Sequence, residues 1–171
     1  MKRQVIFLVL TFVFALTVCG AVKADIPVCT VPGEQYNPAI WGNKVVWVDM
    51  RNGDPDIYMK DLLTGKETPV CTEGHEQWRP AIYGNMVVWE DYRNENWDIY
   101  MYDLSTGVET PICTAPKIQR VPAIYGNKIV WSDERSYPGH IYMYDLSTGK
   151  ETQYAKPILI NHGTLHFTGI K

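Results

Sequence analysis

The chain has 171 residues and a formal net charge of −3, enough length for one ordinary domain with a real core. Without the first 24 residues, argued below to be a removable segment, 13 basic residues face 19 acidic ones, a balance of −6. An acidic chain with no basic run lacks the electrostatic footprint for DNA or RNA, so nucleic acid is not expected as a partner.

The amino terminus reads as an export signal. Lys2 and Arg3 precede an apolar run from Val5 to Val18, interrupted only by Thr11 and Thr17. Ala21 and Ala24 then stand at the −3 and −1 positions of a cut before Asp25. An uncleaved anchor is the alternative, because a run of about 18 residues just suffices to span a bilayer. Cys19 resembles a lipid-acceptor cysteine, but Val18 occupies a place where such sites want a small residue.

From residue 26 onward the sequence repeats with a period of 42 and no gap: Pro38, Pro80, Pro122; Gly42, Gly84, Gly126; Trp47, Trp89, Trp131; Asp49, Asp91, Asp133; Gly65, Gly107, Gly149. Such a period marks a repeat architecture and outranks any local feature. Within each copy, four β-favouring runs are separated by turn residues. The first, P-A-I-x, starts on proline, which a strand tolerates at its beginning. Gly-Asn follows and closes a hairpin. The second run, such as V-V-W-E-D, ends in a polar loop, and the third, such as D-I-Y-M-Y-D-L, is dense in aromatic and β-branched residues. A second glycine turn leads to the fourth, E-T-P-I-C-T. No helical periodicity extends over ten residues.

The repeat is therefore a four-stranded antiparallel meander. A single sheet apolar on both faces must stack on others, which at this period predicts an all-β chain of propeller blades. Blades are expected at about 35–72, 77–114 and 119–154 within a repeat region of 25–155. Each of Trp47, Trp89 and Trp131 should bury on the order of 200 Å², a gross contribution of about 5 kcal/mol before entropy, so these are core residues rather than a stacking platform. Gly42, Gly84 and Gly126 are structural as well.

The count does not close. Residues 26–30 match a fourth strand and open the chain as an orphan outer strand. Only three full blades follow, whereas closed rings have about four to eight. The last fourth strand loses P-I-C-T, and 156–171 leaves the period as a divergent tail, a degenerate hairpin. Either two chains pair, further blades associate, or the sequence is a fragment of a longer product; of these the fragment is favoured.

Several side chains are candidate sites. Asp49, Asp54 and Asp56 form a carboxylate cluster that invites calcium. Each copy nevertheless carries an arginine inside it, and Asp–Arg pairing with turn capping explains the pattern better. Cys29, Cys71 and Cys113 hold one repeat position on successive blades and read as small buried hydrophobes, because equivalent positions radiate apart. Gln35, Gln77 and Gln119 are expected to hydrogen-bond the loop backbone. The residues after them vary: Tyr36-Asn37, Trp78-Arg79, Arg120-Val121. In a propeller these loops share a face with the loop bearing Trp97, and exposed Trp, Tyr and Arg are frequent binding hot spots. The candidate binding face is Tyr36, Asn37, Trp78, Arg79, Trp97 and Arg120, although Tyr36 and Trp78 could simply pack over the blade tops. No nucleophile motif, zinc motif or cofactor motif occurs.

The segments P-A-I, V-V-W-x-D-x-R and D-I-Y-x-Y-D-L-x-T-G-x-E-T together resemble the TolB-type, WD40-like propeller repeat over residues 26 to about 152. The usual S-P-D-G turn of that family is replaced by Y-G-N or W-G-N, a form similar to repeats in surface proteins of methanogenic archaea. The resemblance implies binding to proteins or envelope polymers, with peptidase activity, where it occurs, carried on a separate domain. The expected function is a non-catalytic, exported or cell-surface binding module without a cofactor. The rivals are a propeller-scaffold lyase or hydrolase of an envelope polysaccharide, and a gene fragment with no function of its own.

Overall fold

In the computed structural model the described residues are 27–153; the expected signal, Ile26 and the divergent tail lie outside them. Each repeat folds as one antiparallel sheet whose strands pair in sequence order. Blade 1 comprises β1 (Gln35–Trp41), β2 (Lys44–Asp49), β3 (Asp56–Asp61) and β4 (Glu67–Cys71). Blade 2 comprises β5 (Gln77–Tyr83), β6 (Met86–Asp91), β7 (Asp98–Asp103) and β8 (Val108–Cys113). Blade 3 comprises β9 (Gln119–Tyr125), β10 (Lys128–Asp133), β11 (His140–Asp145) and β12 (Lys150–Gln153).

The first hairpin of each blade has two turn residues, as the Trp41↔Lys44, Tyr83↔Met86 and Tyr125↔Lys128 pairs show. Positive φ falls on the glycine of each Gly-Asn pair, 58° at Gly42, 61° at Gly84 and 58° at Gly126, and not on the asparagine. A left-handed first turn residue matches the strand twist and favours glycine there. Every first strand also carries a bulge. Register slips between Tyr36 and Ala39, between Trp78 and Ala81, and in blade 3 where Arg120 and Ala123 face Ser132 and Val130. The extra residue in each case is left-handed: Asn37 at 48°, Arg79 at 51°, Val121 at 56°.

The cores lie between blades rather than within them. Val46, Ile57 and Val70 of blade 1 pack on Ile82, Val87 and Trp89 of blade 2. Val88, Ile99 and Ile112 of blade 2 pack on Ile129, Trp131 and Tyr142 of blade 3. The first strands are neighbours from blade to blade, β1 beside β5 and β5 beside β9, so they form the inner wall of the array. Loops join blades there too: Gln77 N–H donates to Pro55 O and Gln119 N–H to Trp97 O, each at 2.8 Å.

The amino-terminal segment departs from expectation. Residues 27–30 form no strand, and among the described residues no third strand of a preceding blade pairs with them. They nonetheless lie against blade 1 where a fourth strand would. Val28 and Cys29 cover Val45, Trp47 and Tyr58, and Lys60 Nζ donates to Val28 O at 2.6 Å.

Ile99 is fully buried between blades 2 and 3 and Leu63 is 83% exposed in a turn. Ile99→Ala should cost about 2–5 kcal/mol, and Leu63→Ala should stay within about 0.5 kcal/mol. Denaturant unfolding of the two variants checks this contrast.

Candidate functional site

The carboxylate cluster of the second-to-third-strand loop is a structural device. Asp49 Oδ2 accepts from Trp47 Nε1 at 2.8 Å and from Arg51 Nη2 at 2.6 Å, while Oδ1 accepts from Arg51 N and Nε, each at 2.9 Å. Asp91 with Trp89 and Arg93, and Asp133 with Trp131 and Arg135, repeat the arrangement. Each guanidinium then lies over a tyrosine of the third strand, 4.0 Å from the Tyr58 ring centre, 4.2 Å from Tyr100 and 4.0 Å from Tyr142. Its outer nitrogen pairs with Glu67, Glu109 or Glu151 on the fourth strand. One arginine thus ties second, third and fourth strands, with bidentate geometry that favours Arg over Lys.

Of the calcium candidates, Asp49 is committed to this pairing and Asp56 accepts from Asn52 Nδ2 at 2.6 Å. Among the described residues no group of side chains is arranged to hold a metal ion. Burial alone would push the Asp49 and Asp133 carboxyls up, but the arginine hydrogen bonds and charge, with the tryptophan N–H, hold both below the usual range. Asp98 goes the other way: burial raises it against the hydrogen bonds from Asn94 and Asn96.

The cysteines are more than small hydrophobes. Arg93 Nη2 approaches Cys71 Sγ at 3.2 Å and Arg135 Nη2 approaches Cys113 Sγ at 3.0 Å, both across a blade boundary. Burial pushes these two thiols up to about 12, so they stay protonated. The glutamines behave as expected, Gln35 bonding Gly33 O, Gln77 bonding His75 O and Gln119 bonding Lys117 O.

Five of the six candidate face residues converge. Asn37 of blade 1, Trp78, Arg79 and Trp97 of blade 2 and Arg120 of blade 3 line one depression of about 340 Å³, together with Glu90. Tyr36 stands beside it, its ring 5.7 Å from that of Trp78. It is 39% exposed, while Trp78 is half-buried with its indole N–H donated to Glu76. The bulges position these side chains, since each left-handed residue breaks the in–out alternation of its strand. Arg120 lies over Trp97 at 5.0 Å, and its Nε is buried without a hydrogen-bond partner among the described residues.

Glu90 was not among the sequence candidates. It occupies the x of V-V-W-x-D, where blade 1 has Val48 and blade 3 has Ser132. Although only 1% exposed, its carboxylate is satisfied by Arg79 Nη1 at 3.0 and 3.1 Å and by the backbone N–H of Val121. The signal available in the sequence was an acidic residue at an inward position of an otherwise apolar strand. A second omission is a run of aromatic residues at the fourth place of P-A-I-x. Trp41 meets Tyr83 at 4.2 Å and Tyr83 meets Tyr125 at 4.9 Å, stepping along the inner wall.

No family model matches the sequence, and no curated protein does. TolB of Acinetobacter baumannii superposes with a TM-score of 0.61 at 19% identity, covering 74% of this chain and 33% of that one. The described residues are blades of a β-propeller. The propeller domain of the Trilobed protease from Pyrococcus furiosus, reported to have an open velcro topology, gives 0.57 at 15% identity over 72% of this chain and 43% of its own. A puromycin-hydrolyzing peptidase of Mycobacterium tuberculosis gives 0.50 at 14% over 65% and 19%. The chain thus spans less than half the length of each of these, and likeness at such identity shows the fold alone.

Two outcomes follow. Carboxyls held below their unfolded value contribute stability that is present above about pH 4 and lost as pH falls through the folded pKa. The melting temperature should therefore drop on acidification below about pH 4, and Asp133→Asn should flatten that drop in a pH series of thermal melts. Val121 is 59% exposed and left-handed, a position that strains a β-branched residue and suits asparagine. Val121→Asn should stabilise by about 0.5–1 kcal/mol in denaturant titration.

Proposed function

We propose that this chain is a non-catalytic binding module, exported or displayed at a cell surface, that meets a protein or cell-envelope polymer on the face bearing Tyr36, Asn37, Trp78, Arg79, Trp97 and Arg120. The observation that carries this reading is the convergence of those side chains, drawn from three blades, on one depression. Two indole faces supply flat apolar area and two guanidiniums supply donors, the side-chain types that dominate binding energy at interfaces. With Glu90 tied to Arg79, the second arginine leaves the depression net positive, which suits a partner presenting an acidic group beside an apolar or sugar face.

The same contacts argue against chemistry. A general base needs a carboxylate free to take a proton. Glu90, the carboxylate of the depression, is occupied by a guanidinium and a backbone N–H. The buried thiols of Cys71 and Cys113 are protonated and lie on the blade boundaries. Export rests on the layout of residues 1–24, and a place among archaeal surface proteins rests on the Y-G-N form of the turn.

Two assays test the proposal: co-sedimentation with purified envelope polymer of the producing cells, and cross-linking capture from their surface proteins. Trp78→Ala should weaken retention at least about tenfold, the size expected of a hot spot, in protein whose folded β signal is checked at the assay temperature, because this indole also packs against the core between blades 1 and 2 and its loss lowers the melting temperature. Arg79→Ala, made with Glu90→Gln so that no buried charge is left unpaired, should do the same. Unchanged retention in both would sink the assigned face. Release of soluble fragments from the polymer, lost in Glu90→Gln, would instead favour the lyase or hydrolase.

A further inference from the structure

The depression belongs to blade 2 and is walled on both sides by its neighbours, with Asn37 from blade 1 and Arg120 from blade 3. Its two arginines are not equivalent. Among the described residues Arg51, Arg79, Arg93 and Arg135 each pair with a carboxylate, and Arg120, the remaining arginine, pairs with none. It turns back over the Trp97 ring of blade 2 at 5.0 Å, with its Nε buried and without a hydrogen-bond partner. A guanidinium taken partly out of water with no counter-charge is costly. A buried donor left unsatisfied points to a group that the protein itself does not supply. Flattened on an indole, Arg120 is already ordered, so engaging its outer nitrogens loses little further freedom.

The aromatic residues behind Arg120 are peculiar to blade 2. Trp97 packs on Tyr92 at 5.0 Å, and Tyr92 packs on His75 at 6.5 Å. At the same repeat positions blade 1 has Pro55, Met50 and Gly33, and blade 3 has Gly139, Glu134 and Lys117. Blades 1 and 3 form the same sheet without them, so the propeller does not require aromatic rings there. The nearby carboxylates are engaged elsewhere. Glu90 is held by Arg79 and by Val121 N–H, while Glu34 and Glu76 accept from Tyr36 Oη and Trp78 Nε1.

We infer that the depression seats a hexuronate residue of an acidic polysaccharide, with Arg120 as the group that selects its carboxylate. This rests on the binding face proposed above and narrows it to one class of ligand. Three features of the lining select that class together. Arg120, seated on Trp97, offers a cation whose planar edge matches a carboxylate. Trp78, with the Tyr36 ring beside it, offers an apolar face to the C–H face of a pyranose. The exposed Asn37 amide has no hydrogen-bond partner among the described residues and offers both a donor and an acceptor to ring hydroxyls. A sugar ring bearing a carboxylate uses all three. An aspartate or glutamate side chain uses the first alone, and a neutral sugar leaves Arg120 without a counter-charge. Arg79 can still donate, but Glu90 cancels its charge. The volume of about 340 Å³ lies at the low end of the ~300–1,000 Å³ of small-molecule sites, a size for one ring of a chain.

Calorimetric titration of the full-length chain tests this, with tetrasaccharides of glucuronate, galacturonate and mannuronate and their carboxyl-reduced, neutral counterparts as probes. In a carboxylate-free buffer at least one uronate should bind about tenfold tighter than its neutral counterpart, and added salt should shrink the difference. Arg120→Gln, which breaks no ion pair of the chain, should bring the two members of that pair within about twofold of each other. Trp78→Ala, checked for its folded β signal, should instead weaken both members alike. Equal affinity for acidic and neutral sugars, no binding by any of the three uronates, or a preference that survives Arg120→Gln would each overturn the hexuronate assignment. An aspartate- and glutamate-rich peptide bound as tightly as the uronates would do the same. The binding face itself fails separately, when Trp78→Ala leaves retention of both envelope polymer and surface proteins unchanged.

Discussion

Burial of sheet faces between blades is the constraint on which everything else here depends. A twisted four-stranded sheet with Val, Ile and Trp on both faces has no inside of its own. It acquires one only when a neighbour covers it, and the core clusters accordingly combine residues from two blades each. Stability in such an array is close to a sum of blade terms and boundary terms, so an uncovered boundary is a deficit that the chain must meet in some way. At the amino-terminal end residues 28 and 29 meet part of it, which is why Trp47 is nearly as buried as Trp89 and Trp131 although no blade precedes it among the described residues.

The buried polar groups follow from the same constraint. Placing an Asp at the end of each second strand would be costly in so dry a boundary unless its lone pairs were all used. Trp, Arg and the arginine's own backbone N–H use them, and the arginine is in turn flattened against a tyrosine and held by a glutamate of the outer strand. The cysteine of the preceding blade fits against this arginine because it is small and polarizable. A motif that looks in one dimension like a loose acidic loop is, in three, a brace across three strands and one boundary.

The depression arises where the repeats stop being identical. Asn37, Arg79 and Val121 occupy one bulge position, and Val48, Glu90 and Ser132 occupy one strand position. Only blade 2 pairs an arginine with a glutamate there, and the glutamate reaches on to the bulge of blade 3. Strain in Val121 is set against a hydrogen bond to a buried carboxylate, so the site geometry and the blade boundary are held by one interaction. Departures from a repeat are thus where specificity can enter without disturbing the array.

The sequence by itself determined the period, the four strands of each repeat, their order within a blade and the burial of the three tryptophans, because each follows from local composition and a spacing that recurs. It also grouped Tyr36, Asn37, Trp78, Arg79, Trp97 and Arg120 on one face, but by assigning them to loops; all except Trp97 lie inside first strands that begin at Gln35, Gln77 and Gln119 rather than at the prolines, and a bulge in each strand is what turns them there. It did not show Glu90, whose meaning depends on which side chain lies across the boundary, nor the cysteine contacts, which join residues 22 positions apart on different blades. Residues 27–30 of the expected orphan strand matched one in their letters; a strand, however, exists only where a partner offers hydrogen bonds, and the tertiary structure decided that. Side-chain identity is local, whereas pairing, burial and desolvation belong to neighbours in space.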